Sequence, residues 1–295
     1  MNPKKHDNNI ARRMKKDMMV TGMYAFLVVI CITIIYPILW IVFASFNPSQ
    51  SMFSSTLVPK EMSLSNYVWL FTSPDSKYLL WFRNSLKISV IVMVLQVVLV
   101  SFTAYAYSRF TFKGKKFGLL IFMVLQILPL TSAMIAFYAL GILLGLVQNH
   151  AHAYLIAIYV GSAIPGNTYL VKGYLDNIPK ELDEAAYLDG AGNFTTFFLI
   201  VMPLAKPILA VQALWAFMTP LQDFVIAKLI IRDPELNTLA VGLQTFVSGS
   251  MTGGSQIQFT KFAAGSLLIA LPIALLFIFL QKYLISGLTA GGTKG

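Results

Sequence analysis

The chain has 295 residues, of which 57% are hydrophobic and 12% charged, about half the ~25% charge of a soluble domain, so it reads as a protein built for lipid. A net charge of +10 leaves a basic balance that is concentrated between the apolar runs. The single cysteine, Cys31, lies inside one such run, which excludes an intrachain disulfide framework and leaves the redox compartment open.

A membrane-crossing helix needs about 20 mostly apolar residues. Residues 1–18 form a basic arm carrying Lys4, Lys5, Arg12, Arg13, Lys15 and Lys16. The membrane domain, residues 19–287, then offers six runs: Met19–Phe46, Asn84–Tyr107, Phe117–Leu144, Ala151–Val171, Leu204–Ile230 and Phe262–Leu284. The first is too long for the roughly 7–15-residue core of a signal peptide and no A-x-A-like site follows, so it reads as a retained helix. The fourth is expected to be interrupted at Pro165-Gly166, and Pro37, Pro129, Pro220 and Pro272 also fall inside spans. Each such proline frees a backbone carbonyl that a neighbour or a water-filled cavity must satisfy.

The clustering of Lys and Arg orients the runs. With the arm in the cytoplasm, six spans place the RFTFKGKK turn, the loop at 172–203 and the tail at 288–295 on that side, with both termini inside. A five-span arrangement would move only the tail. Two outer loops remain, 47–83 and 231–261. The first, with Pro48, Pro59 and Pro74, is expected to fold as a small cap with Trp69 and Trp81 near the interface. The second contains VSGSMTGGSQ, whose Gly and Ser density reads as an adaptable connector.

Several chemistries have no residues to carry them. The sequence lacks a G-x-x-x-x-G-K-[ST] loop for ATP, and it lacks H-E-x-x-H and G-x-S-x-G motifs. His6 lies in the arm, and His150 and His152 at i, i+2 without neighbouring Cys or carboxylate make a poor metal site. No catalytic, cofactor or metal residue is therefore assigned. Ion-coupled carriers bury ionisable groups at mid-membrane, and here the spans are nearly bare of them. Asp223, in TPLQDF, lies near the outer end of the fifth span. There it would line the mouth of a path, pair with a polar neighbour or remain solvated. Uphill transport would need energy from another subunit.

Five of the 12 acidic residues fall between Asp176 and Asp189, around KELDEAAYLDGAGNF (180–194). Pro179 suits a first helical turn, and Glu181, Asp183 and Glu184 suit the positive end of the helix dipole. Ala185 and Ala186 keep one side narrow, and Gly190 with Gly192 behind it offers a left-handed stop. The result is a short helix at the cytoplasmic surface. From Glu184 the order is E-A-A, three residues, Gly190, nine residues, Ile200, one residue, then Met202-Pro203.

This spacing resembles the EAA loop of ABC-importer permeases, E-A-A-x3-G-x9-I-x-L-P, with Met202 in place of the usual Leu. RNSLKIS (83–89), AYAYSRFTFKGKK (104–116), QILP (126–129), YLVKGYLDNIPKELDEAAYLDGA (169–191) and SGLTAGGTKG (286–295) extend the likeness over almost the whole chain. Together they resemble the second permease subunit of carbohydrate ABC importers, most closely the maltose/maltodextrin type. The resemblance implies an all-α membrane protein of six transmembrane helices with the type I ABC-importer permease fold, in a prokaryotic cytoplasmic membrane.

It further implies a transport subunit and not an enzyme, with ATP and Mg held by a separate ATPase and no cofactor on this chain. The implied partners are a second, homologous permease, two ATPase subunits, an extracytoplasmic solute-binding protein, an oligosaccharide and membrane lipid, with no nucleic acid. Glu184, Ala185, Ala186, Asp189, Gly190 and Phe194 would couple to the ATPase. Thr289, Gly291, Gly292 and Lys294 would reach between the ATPases. Ser248, Gly249, Ser250, Met251, Gly253, Gly254 and Gln256 would enter the binding protein. In that family the membrane sugar site is held mainly by the other permease. The alternatives are an importer of another sugar or of glycerol phosphate, and, from other classes, a stand-alone channel or a membrane enzyme. The last two are opposed by the absence of catalytic constellations and of a polar lining at mid-membrane.

Overall fold

A computed structural model describes residues 3–49, 57–127, 129–248 and 257–292, with 3–15, 130 and 285–292 described by backbone alone. Among them the regular elements are all helical: α1 Pro3–Ser45, α2 Ser65–Thr72, α3 Tyr78–Arg109, α4 Lys115–Ile127, α5 Leu130–Leu143, α6 Leu146–Asn149, α7 Ala151–Leu175, α8 Glu181–Leu188, α9 Asn193–Thr196, α10 Met202–Gln222, α11 Val225–Ile230, α12 Leu239–Val247 and α13 Phe259–Gly292. Five stretches are long and apolar enough to cross a membrane unbroken: Lys16–Ser45, Tyr78–Arg109, Ala151–Leu175, Asn193–Gln222 and Phe259–Leu284.

The sixth run departs from the single helix expected over Phe117–Leu144. It is a pair, α4 and α5, bent by 100°. The break falls at Pro129, which is extended at φ −66°, ψ 133° and has no N–H to continue the ladder. Pro165 does the reverse: α7 runs through it without interruption, as proline can in a transmembrane helix whose freed carbonyl is satisfied otherwise. The fifth run also shifts. It starts at Asn193, passes through a π-helical turn at Phe197–Val201 and stops at Gln222, because Asp223 turns to extended backbone (ψ 123°) before α11.

The core is built on α3, which packs along α7 and α10. Ile88, Val92, Leu155 and Tyr159 fill the half nearer α11 with Ile226 and Ile230. Val100, Ala104, Val171, Leu175, Phe197 and Val201 fill the half nearer the π turn. Between these clusters lies an amide knot. Gln96 donates from Nε2 to the carbonyl of Tyr159 (3.1 Å), and its Oε1 accepts from Asn167 Nδ2 (3.4 Å) and Gln212 Nε2 (3.5 Å). Composition hides this lining because no member is charged. By contrast, α1 is exposed from Lys16 to Leu39 and packs near its C-terminal end, against α13 and α2; in lipid an apolar helix needs no protein partner to be solvated.

At the end of the bundle opposite α8, α2 and α12 form the cap. Phe246 sits between Trp69 and Trp81, with ring centroids 5.9 Å from each. Polar ties close the cap: Asn84 Nδ2 donates to the carbonyls of Glu235 and Asn237, Ser85 Oγ accepts from Leu239 N at 2.7 Å, and Lys77 pairs with Glu235. Gly242 is required for close approach here, since a Cβ would lie 2.1 Å from Cδ2 of the buried Trp81 ring. Gly242→Ala is expected to overpack the cap by about 1–3 kcal/mol, read as a lower thermal midpoint of the detergent-solubilised protein. Gly173→Ala, where a Cβ meets nothing within 4 Å, should leave that midpoint unchanged or raise it.

Candidate coupling site

The loop between α7 and α10 folds the acidic stretch as α8. Immediately after Pro179, the N–H groups of Asp183 and Glu184 both bond the carbonyl of Lys180 at 3.0 Å, starting the helix with Glu181, Asp183 and Glu184 in its first turn. Its end is a paired closure: Ala191 N bonds Ala186 O at 2.9 Å, and Gly190 N bonds Tyr187 O at 3.0 Å. This Schellman geometry needs a left-handed residue, and Gly190 supplies φ +85°. Tyr187 then ties the exit, its hydroxyl donating to Asn193 Oδ1 at 3.0 Å.

The helix divides the expected coupling residues between two faces. Asp183 and Ala186, three residues apart, are buried against the protein. Glu184, Ala185, Leu188 and Asp189 are exposed, Leu188 to 90%. Ala186 is thus a packing residue within its own chain, whereas Glu184, Ala185 and Asp189 are available to a partner. Phe194 is 73% exposed and forms one wall of a hollow of about 260 Å³ with Phe102, Tyr105, Phe110 and Phe197.

What holds α8 in place is a contact that the reading of the sequence did not identify. Arg109, the last residue of α3, brings Nε to 2.7 Å from Asp183 Oδ2, with the two side chains only 4% and 7% exposed. Arg109 Nη2 also donates to the carbonyl of Ile178 at 3.1 Å. A cation belongs at the carbonyl end of a helix, and removing one member of a buried pair costs about 3–5 kcal/mol. The available signal was an arginine ending a long span with no acidic residue on its own helix, opposite an acid sharing the face of Ala186.

A second tie lies beside the first, at the residue before Arg109. Ser108 Oγ donates to Asp176 Oδ1 at 2.7 Å, and Lys172 Nζ lies 2.5 Å from Asp176 Oδ2. Burial opposes ionisation of Asp176, but the hydrogen bonds from Lys172 and Ser108 outweigh it and hold the carboxyl below its usual range. A depressed carboxyl contributes its stability above the unfolded-state value and loses it only as pH falls through the lower folded value. This tie is therefore constant through neutral pH.

The remaining candidates are dispersed. Asp223 is partly buried at the α10–α11 break, where Oδ2 accepts from the Tyr159 hydroxyl (2.6 Å) and from Ala227 N (2.9 Å); of the arrangements open to it, the one formed is pairing with a polar neighbour. Ser248 ends α12, its Oγ donating to Gln244 O at 2.9 Å; Gly249, Ser250, Met251, Gly253, Gly254 and Gln256 lie outside the described residues. The backbone of Thr289, Gly291 and Gly292 continues α13, and Lys294 lies outside the described residues. Among the described residues no group of three His, Cys, Asp or Glu is placed to hold a metal. The arrangement supports docking and the transmission of force, with an anionic and apolar face mounted on the end of α3.

Comparison with known proteins follows the same lines. The chain is 48% identical to the galactooligosaccharides transport system permease protein of Bacillus subtilis (strain 168), over 92% of this chain and 94% of that one. It is 46% identical to the maltodextrin transport system permease protein of the same organism, over 92% and 95%. Among solved structures, a bacterial ABC transporter involved in the import of the acidic polysaccharide alginate superposes with a TM-score of 0.76 at 20% identity, over 90% of this chain and 96% of that one. The fold is that of an ABC-importer permease. Residues 96–289 match the family described as binding-protein-dependent transport system inner membrane component, and the chain belongs to that family.

Proposed function

We propose that the chain is one of two permease subunits of an ATP-driven importer for maltodextrin-type oligosaccharides, and that α8 is where ATPase motion enters it. The observation that carries this reading is the buried Arg109–Asp183 pair. It fastens a short helix with an exposed anionic and apolar face to the end of the central span. Force applied to Glu184, Ala185, Leu188 and Asp189 passes through that joint into α3, and through the π turn into α10. Both spans then move as bodies, as in other rigid-body transitions. The galactooligosaccharide relative supports a second substrate reading, a galactooligosaccharide.

In this reading a second, homologous permease completes the path and two ATPase subunits bind ATP and Mg. The C-terminal tail, with Thr289, Gly291, Gly292 and Lys294, reaches those ATPases. An extracytoplasmic solute-binding protein delivers sugar to the segment Ser248–Gln256. The assembly sits in a prokaryotic cytoplasmic membrane with both termini inside.

The reading is tested by purifying the chain with its co-purifying subunits and measuring uptake of radiolabelled maltotriose and galactotriose into proteoliposomes. Uptake should require ATP and binding protein; ATP-independent uptake by this chain alone would sink the proposal. Gly190→Asp, which forces an L residue to φ +85°, is expected to insert normally yet lower ATP-coupled uptake at least about tenfold by misdirecting the α8 exit. Arg109→Leu and Asp183→Leu should each lower the stability of the assembled complex by about 3–5 kcal/mol. The double Leu variant should recover most of that loss, read as the thermal midpoint and the yield of co-purified ATPase.

A further inference from the structure

A concavity of about 740 Å³ opens where α4, α5, α7 and α10 meet, lined by Gln126, Phe137, Gly161, Ser162, Asn167 and Trp215 among others. Its volume falls in the range of about 300–1,000 Å³ in which proteins hold small ligands. Gly161–Asn167 is the middle of the 25-residue α7, so the hollow lies at mid-span, far from either membrane surface. It belongs neither to α8 nor to the outer cap.

Three observations decide what the hollow faces. Gln126, Ser162 and Trp215 are exposed in this chain, and Gln126 has its amide laid against Gly166, where a Cβ would come within 2.9 Å of Nε2. Amides turned towards hydrocarbon without a partner are costly, so this wall does not face lipid. The end of α4 and the start of α5 lie at its rim, and broken backbone at this depth is tolerated where it lines a water-filled cavity. Behind the wall, Asn167 is held by Gln96, itself joined to Gln212, which orients the Asn167 amide from a fully buried anchor.

The chemistry of the lining selects the occupant. It offers an exposed indole, neutral amides and a hydroxyl, and no Lys, Arg, Asp or Glu. A pyranose ring carries hydroxyls around its edge and C–H groups on its faces, which match amides and an aromatic plane respectively. A phosphorylated or uronic sugar would arrive unpaired, since such anions call for Arg or Lys. We infer that this concavity is a carbohydrate subsite contributed by this chain. Trp215 stacks on one neutral pyranose unit, and Gln126 and Asn167 hydrogen-bond its hydroxyls. The inference rests on the importer reading above and adds a sugar contact on this subunit.

The test uses the complete reconstituted transporter with its binding protein, and reads maltotriose or galactotriose imported per ATP hydrolysed. Trp215→Ala and Gln126→Leu are expected to lower that ratio about tenfold, the amount one stacked ring or ligand contact contributes, with binding-protein-stimulated hydrolysis retained. Trp215→Tyr should restore the ratio to within about twofold. Gly161→Phe, which projects a ring into space where a Cβ meets nothing within 4 Å, should abolish import while the complex still assembles. Trp215→Tyr and Gln126→Leu carry the test if Trp215→Ala does not assemble. An unchanged ratio in assembled Trp215→Ala, or in Gln126→Leu together with Gly161→Phe, overturns the subsite and leaves the importer reading standing. A wild-type complex that imports neither sugar overturns the importer reading and the subsite with it.

Discussion

Arg109 and Asp183 meet where water is nearly excluded, and the geometry of the α8 end of the bundle follows from that meeting. Two charges so placed are costly apart and tolerable together, so the end of α3 and the inner face of α8 are obliged to stay in register. With Asp183 turned inward, Ala186 must follow it one turn later, and Glu184, Ala185, Leu188 and Asp189 are left outside. The pair thus decides which half of a short acidic helix is structural and which half is available for contact.

A similar logic operates at the centre of the membrane with weaker groups. Gln96 accepts from α7 and α10 and donates to a second position on α7, so α3, α7 and α10 are joined by amides where apolar side chains alone give no preference over lipid. Such interhelical bonds contribute only about 0.6 kcal/mol each on average, but they are directional. They set the rotation of α7, and hence which residues of α7 face the hollow beside Trp215.

The apolar runs, their order and the short capped helix at the E-A-A-x3-G spacing were legible in the sequence, because these are local signals. Gly190 was legible for the same reason: a left-handed stop depends on a few neighbouring residues. The bend at Pro129 and the continuity at Pro165 were not, since proline breaks a helix or rides within it according to what surrounds it, and both sites look alike in one dimension. The partnership of Arg109 with Asp183, of Ser108 with Asp176 and of Gln96 with Gln212 joins residues distant in the chain. Nothing local distinguishes Asp183 from Glu184 except which one the fold turns inward.

The π turn at Phe197–Val201, where Met202 N bonds back five residues to Phe197 O, carries a consequence for inheritance. A π turn holds one more residue than an α turn in nearly the same length, so it marks a single-residue surplus between the surface loop and α10. Removing that residue would let the ladder close as ordinary α-helix and swing everything before it by about 100° around the α10 axis. Phe197 would leave its stack on Phe102, now 4.8 Å away between centroids, and α8 would point along a different bearing. A single-residue deletion in this elbow is therefore a change of bearing for α8, and not merely a change of length.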